Sequence, residues 1–260
     1  MTIDKPNFPW SFYGQAWKLF RRLSDENIET AKHLLSRDHW PNCVNTLILD
    51  VGCGDGLLIQ SIIDMGKIDV GEVILIDPYI EWLDQARKNI NDYVTSGVIK
   101  NLEVITGTAE DNFIEYSSRA NVILGIHLAY LVEPSTIEMM IASLPTNIPF
   151  YFVLDHPSSI FSKLWEETAP VYKNRASLAH KYVRNLGSSF EVNMSTIISH
   201  LPNPLSRKDE IKDQMLSLLC YDDVRNFPHD LYAWVTEQVA KAVVDNTISC
   251  DSTCYEILKR

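Results

Sequence analysis

Three glycines and an aspartate are spaced in this sequence as they are in a nucleoside-binding loop. Gly52, Gly54 and Gly56 directly follow the apolar run 46–51 and precede another apolar stretch. Glycine lets the backbone turn sharply and approach a ligand, because no Cβ stands in the way. About twenty residues later a second apolar run ends in Asp77, whose carboxylate could accept hydrogen bonds from ribose hydroxyls. The pattern predicts a βαβ unit with a ligand at its first turn.

The charge of this loop narrows the class of ligand. Its glycine spacing is GxGxG rather than the GxGxxG of dinucleotide-binding loops, and it carries two acids, Asp50 and Asp55. A pyrophosphate would be repelled there, because like charges at close range cost energy. S-adenosylmethionine has a ribose, no phosphate, an amino group and a cationic sulfonium, so it fits better. Asp50 closes a buried strand and needs a partner, which favours a direct or water-mediated contact with the cofactor's amino group.

Further cofactor contacts are expected where the neighbouring strands end. Pro78 follows the ribose-binding aspartate directly. The segment 107–111 follows the third predicted strand, where an adenine ring would lie, and Ala109 and Glu110 would offer the ring a backbone N–H and an acceptor. A plain polar loop at a helix N-terminus is the alternative interpretation of this segment. Ile126 closes the fourth predicted strand and completes the expected cofactor site.

Histidines at strand ends are the candidates for proton transfer. His127 follows the fourth predicted strand, and ligands of open α/β sheets bind outside the carboxyl ends of the strands. A histidine there could orient an amine or remove a proton near neutral pH, or it could be a satisfied structural residue. His156, after the fifth predicted strand, is a second candidate. No metal is expected, because the sequence offers no cluster with metal-ligand spacing.

Residues near the N-terminus favour a cationic acceptor. The segment 8–20 is dense in aromatic side chains, some of which should simply pack. Others, with Tyr13 and Trp17 as candidates, could line a substrate pocket, where aromatic faces attract an ammonium group. Glu26 could hold the same cation, although carboxylates at helix starts often only complement the helix dipole.

Alternating strands and helices must position these side chains. The periodicity predicts an α/β fold: a Rossmann-like seven-stranded, mostly parallel sheet with helices on both faces, an antiparallel last strand and a helical lid. The predicted strands are 46–51, 72–77, 102–106, 121–126, 150–155, 190–198 and 254–258. The predicted helices are 25–37 with Ser24 as N-cap, 56–65, 79–95, 135–144, one or two within 159–185, 207–221 and 228–245.

The chain is expected to be a single domain over residues 1–260, because no repeat, low-complexity tract or linker interrupts it. Residues 1–40 would form an N-terminal helical lid, 41–157 the cofactor-binding core and 158–260 the substrate side. A helical pair inserted at about 205–245, between the last two strands, would cover the mouth of the sheet.

Composition limits the partners. Lys plus Arg total 23 against 34 for Asp plus Glu, a net charge of −11, which disfavours nucleic acid and anionic membranes. No signal peptide or membrane-spanning run is recognised, so a cytoplasmic protein is expected, as a monomer or weak dimer. The five cysteines form no CxxC pair and are expected to be free thiols.

Two resemblances accompany these patterns. Residues 46–111 resemble the cofactor half of class I S-adenosylmethionine-dependent methyltransferases, through the glycine loop, Asp77 and the segment around Ala109 and Glu110. Most of the chain more loosely resembles the histamine N-methyltransferase family. The segments that carry this second resemblance are 13–17, 24–26, 76–78, 126–132, 161–165 and 185–187, with the inserted helical pair and the short final strand.

The second resemblance implies substrate residues. In that family a glutamate near the N-terminus and a glutamine after strand four hold an imidazole-ethylamine substrate, and an asparagine precedes the last strand. Glu26 matches the glutamate, His127 stands in place of the glutamine, and Ser252 stands in place of the asparagine. Tyr130, in the same segment as His127, joins the expected substrate site. Asp77 replaces a cofactor-binding glutamate of the family.

The expected function is therefore N-methylation of an amine or imidazole-type small molecule, with S-adenosylhomocysteine as the second product. Methyl transfer mainly requires that a lone pair be held about 3–3.5 Å from the methyl carbon and that water be excluded. In this scheme Glu26 recognises the cation and His127 accepts or relays its proton. Two alternatives stay open: a small-molecule O-methyltransferase of secondary metabolism, with His127 or His156 as base, and a non-catalytic S-adenosylmethionine-binding protein.

Overall fold

Ten strands form two sheets in the computed structural model, which describes residues 10–41, 45–67 and 70–260. In chain order the strands are β1 (Thr46–Val51), β2 (Val70–Asp77), β3 (Ile99–Thr106), β4 (Val122–Ile126), β5 (Phe150–Asp155), β6 (Phe190–Ile197), β7 (His200–Pro202), β8 (Val243–Val244), β9 (Thr247–Ser249) and β10 (Ser252–Lys259). The large sheet has seven strands in the order β3-β2-β1-β4-β5-β10-β6. The small sheet has the order β7-β9-β8.

Strand direction in the large sheet confirms the predicted fold class. The first five strands pair in parallel, and β10 runs antiparallel to both of its neighbours, β5 and β6. Side chains of β1 and β5 are buried throughout, as expected for parallel strands covered on both faces. The carboxyl ends of β1, β2 and β4 therefore meet at one edge, and the glycine loop follows the first of them.

Ten α-helices accompany these strands in the described part of the chain. They are α1 (Trp10–Leu23), α2 (Glu26–Leu35), α3 (Leu57–Gly66), α4 (Ile80–Thr95), α5 (Ala109–Ser117), α6 (Pro134–Ala142), α7 (Ile160–Thr168), α8 (Pro170–Arg184), α9 (Asp209–Cys220) and α10 (His229–Ala242).

Three apolar clusters show how the helices are arranged. Helices α2, α3 and α4 pack on one face of the large sheet, and α5, α6 and α8 pack on the other. A third cluster joins α1 to α7, α9 and α10, and includes Tyr130 and Tyr221. Within it Phe20 meets Phe161 edge-on, with ring centroids 5.9 Å apart. The N-terminal helix and the inserted helices therefore share one core, beside the strand ends.

Several element boundaries differ from the predictions. Ser24 is not an N-cap: its backbone N–H donates to Phe20 O and closes α1, so α2 begins two residues later, after Asp25. The carboxylate of Asp25 instead accepts from the backbone of His200. The region 159–185 forms two helices, because Pro170 cannot continue α7 and instead begins α8.

The structure also contains elements that the periodicity did not predict. Helix α5 is not among the predicted helices, although a helix N-terminus was one interpretation of the segment 107–111, and Thr108 caps it by accepting from the backbone N–H of Asp111. The three short strands β7, β8 and β9 flank the inserted helices and are too short to show a period. The large-sheet strands β2, β3 and β10 begin two or three residues earlier than expected, because backbone pairing extends beyond their apolar stretches.

The described cysteines, Cys53, Cys220, Cys250 and Cys254, are buried free thiols, and Cys43 lies outside the described residues. None of the described helices is long and apolar enough to cross a membrane.

Candidate active site

The glycine loop after β1 adopts a conformation that glycine favours. The φ angles of Gly52, Gly54 and Gly56 are +74°, +54° and +72°. Gly56 also permits close packing, because a Cβ there would lie 3.1 Å from the Cβ of Ala86 in α4. At Gly54 a Cβ would meet nothing within 4 Å. The third glycine therefore serves helix packing, whereas the second borders open space.

Asp77 ties the end of β2 to this loop. Its carboxylate accepts from the backbone N–H of Gly54 at 3.1 Å and from that of Tyr79 at 2.9 Å. Burial raises the pKa of Asp77 to about 6, although the two backbone donors favour the charged form. The side chain thus holds the loop in shape at the same edge where a ribose is expected.

A cavity opens where these strand ends meet. Counting its open mouth, it encloses about 1210 Å³. The predicted site residues in its wall are Trp17, Gly52, Gly54, Asp77, Pro78, Ala109, Glu110, Ile126, His127 and Tyr130. Those not in its wall are Glu26, Asp50, Gly56, His156 and Ser252. The side chain of Tyr13 lies outside the described residues.

Two further buried acids, Asp50 and Asp55, lie close to Asp77 beside the loop. Asp55 pairs with Arg21 of α1, Nη2 to Oδ1 3.1 Å, and the two side chains are 4% and 9% exposed. Burial raises the pKa of Asp50 to about 7; Arg21 opposes the shift, while Asp77 and Asp55 add to it. A cationic group near the loop would relieve this repulsion.

The Ala109–Glu110 segment is held at the start of α5. Both residues line the cavity, and Glu110 accepts a hydrogen bond from the hydroxyl of Thr136 at 2.5 Å. The acceptor expected for an adenine amino group is therefore engaged with α6, while the backbone of this first helical turn borders the cavity.

His127 lies at the centre of a buried acidic cluster. Its Nε2 is 3.3 Å from Oε1 of Glu26, and its Nδ1 is 3.9 Å from Oδ2 of Asp155. All three side chains are less than one-tenth exposed. Neither ring nitrogen meets hydrogen-bond geometry with a described residue, so the contact with Glu26 is an ion pair. The backbone φ of His127 is +56°, which is uncommon outside glycine.

Charge explains how this cluster titrates. Burial by itself would lower the pKa of His127, but the charges of Glu26 and Asp155 outweigh it and raise the pKa above the ordinary value. Burial would raise the pKa of Glu26, but His127 and Arg21 reverse this and lower it. The two residues stabilise each other's charged forms. Burial raises the pKa of Asp155 to about 6, opposed by His127.

Asp155 is a site residue that the sequence analysis did not select. It ends β5, and Asp50 is the last residue but one of β1, so the rule that a buried carboxylate near a strand end needs a partner could have found it. Ser252 pairs with Asp155 across the β5–β10 ladder and so lies behind the cluster. The ring of His156 instead bonds the hydroxyl of Ser158 at 2.8 Å, away from the cavity.

Aromatic side chains form much of the remaining wall. Those that line the cavity are Trp17, Tyr79, Trp82, Tyr130 and Tyr221. Tyr221 follows α9, so the inserted segment reaches this wall through its side chain. Its ring centroid lies 6.1 Å from that of Tyr130. No group of three potential metal ligands occurs among the described residues.

Comparisons with known proteins identify the fold. No protein-family model matches the chain, and no curated protein matches its sequence. A candidate methyltransferase from Bacillus halodurans aligns over 90% of this chain and 99% of its own, with a TM-score of 0.54 at 16% identity. A S-adenosylmethionine-dependent methyltransferase from Thiobacillus denitrificans, solved with S-adenosylhomocysteine, aligns over 98% and 100%, with a TM-score of 0.52 at 14% identity. The chain has the S-adenosylmethionine-dependent methyltransferase fold.

A third solved structure is similar in fold. The plantazolicin methyltransferase BamL, in complex with S-adenosylhomocysteine and a triazolic desmethyl-plantazolicin analog, aligns over 96% of each chain, with a TM-score of 0.50 at 18% identity. Within this methyltransferase fold, the cavity of the present chain lies at the carboxyl edge of the sheet, where ligands of open α/β folds bind.

Proposed function

We propose that this protein is an S-adenosylmethionine-dependent methyltransferase that acts on a small molecule. The observation that carries the proposal is the meeting, in one cavity, of the glycine loop, Asp77 and the buried histidine His127. The loop and Asp77 are the expected cofactor side, and His127 is the expected acceptor side. The fold and the complexes of two similar structures with S-adenosylhomocysteine support the same cofactor.

The residues present fit that cofactor. Asp77 would accept from the ribose hydroxyls, with Pro78 and Ile126 beside the nucleoside. The backbone at Gly52 and Gly54 would face the methionine part, and the charge of Asp50 would favour its amino group. Ala109 and Glu110 would border the adenine ring, with the backbone N–H groups of the helix start as donors. The bound cofactor supplies a methyl group activated by a positively charged sulfur.

An amine or imidazole-type nitrogen is the acceptor that the cluster favours. An ammonium must lose a proton before its lone pair can attack, and His127, which lies in the cavity wall, would accept that proton. Glu26 lies behind the ring and would stabilise the resulting imidazolium through their 3.3 Å contact. Asp155 would do so from the Nδ1 side. The aromatic wall would attract the cationic form of the acceptor.

Glu26 therefore has a different role in this proposal from the one expected from the sequence. The resemblance to histamine N-methyltransferases implied that Glu26 holds the substrate cation, but its side chain is not in the cavity wall. We assign it to His127 instead, as a positioning and charge-stabilising residue. Ser252 likewise supports Asp155 from the adjacent strand.

Transfer to a hydroxyl oxygen is the second candidate. The observation that favours it is the histidine–carboxylate contact, because a histidine assisted by a carboxylate is a common base for hydroxyl groups. In that case the rate would follow one histidine titration, whereas an amine acceptor adds the titration of its own ammonium group.

The test is titration calorimetry with S-adenosylmethionine, followed by methyl-transfer assays on imidazole amines, aromatic amines, amino acids and phenols. Cofactor binding with turnover on an amine supports the first candidate, and turnover on a phenol alone supports the second. Asp77→Ala should weaken cofactor binding by about tenfold or more, or 1.4 kcal/mol, whereas Asp84→Ala on the exposed face of α4 should not. Absence of cofactor binding by the native protein would overturn the proposal.

A further inference from the structure

A second cavity lies between α7, α8 and the end of β5. Counting its mouth, it encloses about 800 Å³. Its wall includes Ser162 of α7, and His180, Lys181 and Arg184 of α8. No residue lines both cavities, so they are two distinct spaces, although Asp155 in the wall of this one contacts His127 of the first.

Its wall is positive in a chain of net charge −11. Lys181 and Arg184 make no ion pair with a carboxylate of the described residues. The neighbouring Lys173, by contrast, pairs with Glu166 at 3.2 Å. The acid in the wall is Asp155, whose carboxylate lies 3.9 Å from His127 of the first cavity. Lys181 and Arg184 thus border this space, and neither forms an ion pair within the described part of the chain.

A hydrogen-bond chain runs from buried groups to the exposed side chain of Arg184. The carbonyl of Asp155 can only accept, so Nε2 of His180 donates to it at 3.0 Å and Nδ1 accepts from the hydroxyl of Tyr255 at 2.8 Å. Nε of Arg184 donates to the same hydroxyl oxygen at 3.1 Å. The guanidinium is therefore held through Nε, while its terminal nitrogens make no hydrogen bond to a described residue. The two terminal nitrogens of the guanidinium can therefore donate to two acceptor oxygens of one ligand.

Ser162 adds a neutral donor. The residue is 6% exposed, and its hydroxyl oxygen accepts from Nζ of Lys173. The hydroxyl proton remains available to a ligand. A guanidinium, an ammonium and a hydroxyl donor are groups that bind a phosphate or a similar oxyanion.

We propose that this cavity is a second ligand site, which binds the phosphate group of a small anion through Arg184, Lys181 and Ser162. The enclosed space of about 800 Å³, counted with the mouth, can hold a phosphomonoester as well as free phosphate. The site does not depend on the methyltransferase proposal, because none of its ligands lies in the first cavity.

Binding is tested by titration calorimetry of the full chain with inorganic phosphate at fixed ionic strength, with and without saturating S-adenosylhomocysteine. The expected result is saturable binding in both cases, since the nucleoside product should occupy a different cavity. Lys181→Gln combined with Arg184→Gln should weaken binding about tenfold or more. The control, Arg207→Gln with Lys208→Gln, removes the same two charge types from the exposed start of α9 and should leave binding unchanged.

Lys181→Gln alone is the variant least able to disturb folding, because this exposed side chain makes no hydrogen bond in the described structure. It should still weaken phosphate binding. The histidine ring signals of His180 in NMR spectra should shift as phosphate saturates. Glycerol phosphate that binds more tightly than phosphate would assign the ligand to the phosphomonoesters, and equal or weaker binding would assign it to the free anion. Equal phosphate affinity in the native protein and the cavity variants, or no saturable binding, would overturn the proposal.

Discussion

The carboxylate of Glu26 contacts the imidazole of His127, Oε1 to Nε2 3.3 Å, but only the imidazole borders the first cavity. Glu26 begins α2, and His127 follows β4 in a left-handed backbone conformation. Because the pair is buried, each charge is stabilised chiefly by the other. A substitution at Glu26 should therefore act through the titration of His127, and a substitution at His127 should act on the acceptor directly.

Replacement of His127 by asparagine should abolish most methyl transfer while leaving the cofactor bound. Asparagine tolerates the positive φ of +56° at this position better than other non-glycine residues, so the backbone should be retained. We expect kcat to fall roughly 10²–10⁴-fold, the usual contribution of a positioned base. The affinity for S-adenosylmethionine should change less than about twofold. An unchanged kcat would rule out a role for His127 in the reaction.

Replacement of Glu26 by glutamine should lower the pKa of His127. Burial lowers this pKa, and the charge of Glu26 is the strongest opposing cause. In the native protein the neutral base forms as pH rises through a pKa above 6.5, so the rate should increase across that range. In Glu26→Gln the increase should occur at lower pH, with a lower plateau because the base is weaker.

The measurement is the pH dependence of kcat together with an NMR titration of the His127 ring. Glu29→Gln, one turn along α2 and paired with Lys32, is the matched control and should shift neither curve. A His127 pKa that is unchanged or higher in Glu26→Gln would contradict the assigned ion pair.

Gly54 and Gly97 offer a matched test of the loop. Their φ angles are +54° and +79°, and a Cβ at either would meet nothing within 4 Å. Alanine should cost each about 1–2 kcal/mol of stability through the same backbone strain. Gly54 lies in the cavity wall and Gly97 does not. Gly54→Ala should therefore weaken cofactor binding about tenfold or more, which is 1.4 kcal/mol, and equal affinities in calorimetry would show that the loop does not contact the cofactor.

Gly56→Ala should be the most destabilising of the loop substitutions. It combines a φ of +72° with a Cβ only 3.0 Å from Cδ1 of Ile90 and 3.1 Å from the Cβ of Ala86. Overpacking adds roughly 1–3 kcal/mol to the strain. Chemical denaturation of Gly56→Ala and Gly54→Ala should show this order of stability, and the reverse order would mean that α4 moves away without cost.

Asp50→Asn should stabilise the protein at high pH. Burial raises the pKa of Asp50 from 3.8 to about 7, so the folded chain retains a proton that the unfolded chain has lost. The cost of the buried charge therefore grows as pH rises from about 4 to 7. At pH 8 the variant should be more stable by roughly 2–4 kcal/mol, and near pH 4 the difference should vanish.

Calorimetric unfolding at pH 5 and pH 8 measures this effect, with the exposed Asp84→Asn as the control that should show no pH-dependent gain. The same variant should bind S-adenosylmethionine more weakly, because a negative charge near the loop is lost. An Asp50→Asn protein less stable than the native chain at pH 8 would show that the carboxylate is satisfied in its charged form.

The sequence by itself determined the large sheet and the edge of the cavity that carries the glycine loop. Apolar runs with short-range periodicity predicted the seven strands, and the spacing of Gly52, Gly54 and Asp77 predicted that they meet at one edge. These features depend on local geometry, since a strand, its turn and the following helix are contiguous. Ser24 shows the limit of local reasoning: its residue type suits an N-cap, but the end of α1 already uses its backbone.

Only the tertiary structure decided the partners of the charged groups. Glu26, His127 and Asp155 come from three distant segments, and their contact depends on how α2 packs against the ends of β4 and β5. The contact between Arg21 and Asp55 and the position of Tyr221 in the cavity wall also bring together segments that are distant along the chain. Burial and Coulomb interactions act through space rather than along the chain, so the pKa of His127 depends on neighbours that no local pattern in the sequence identifies.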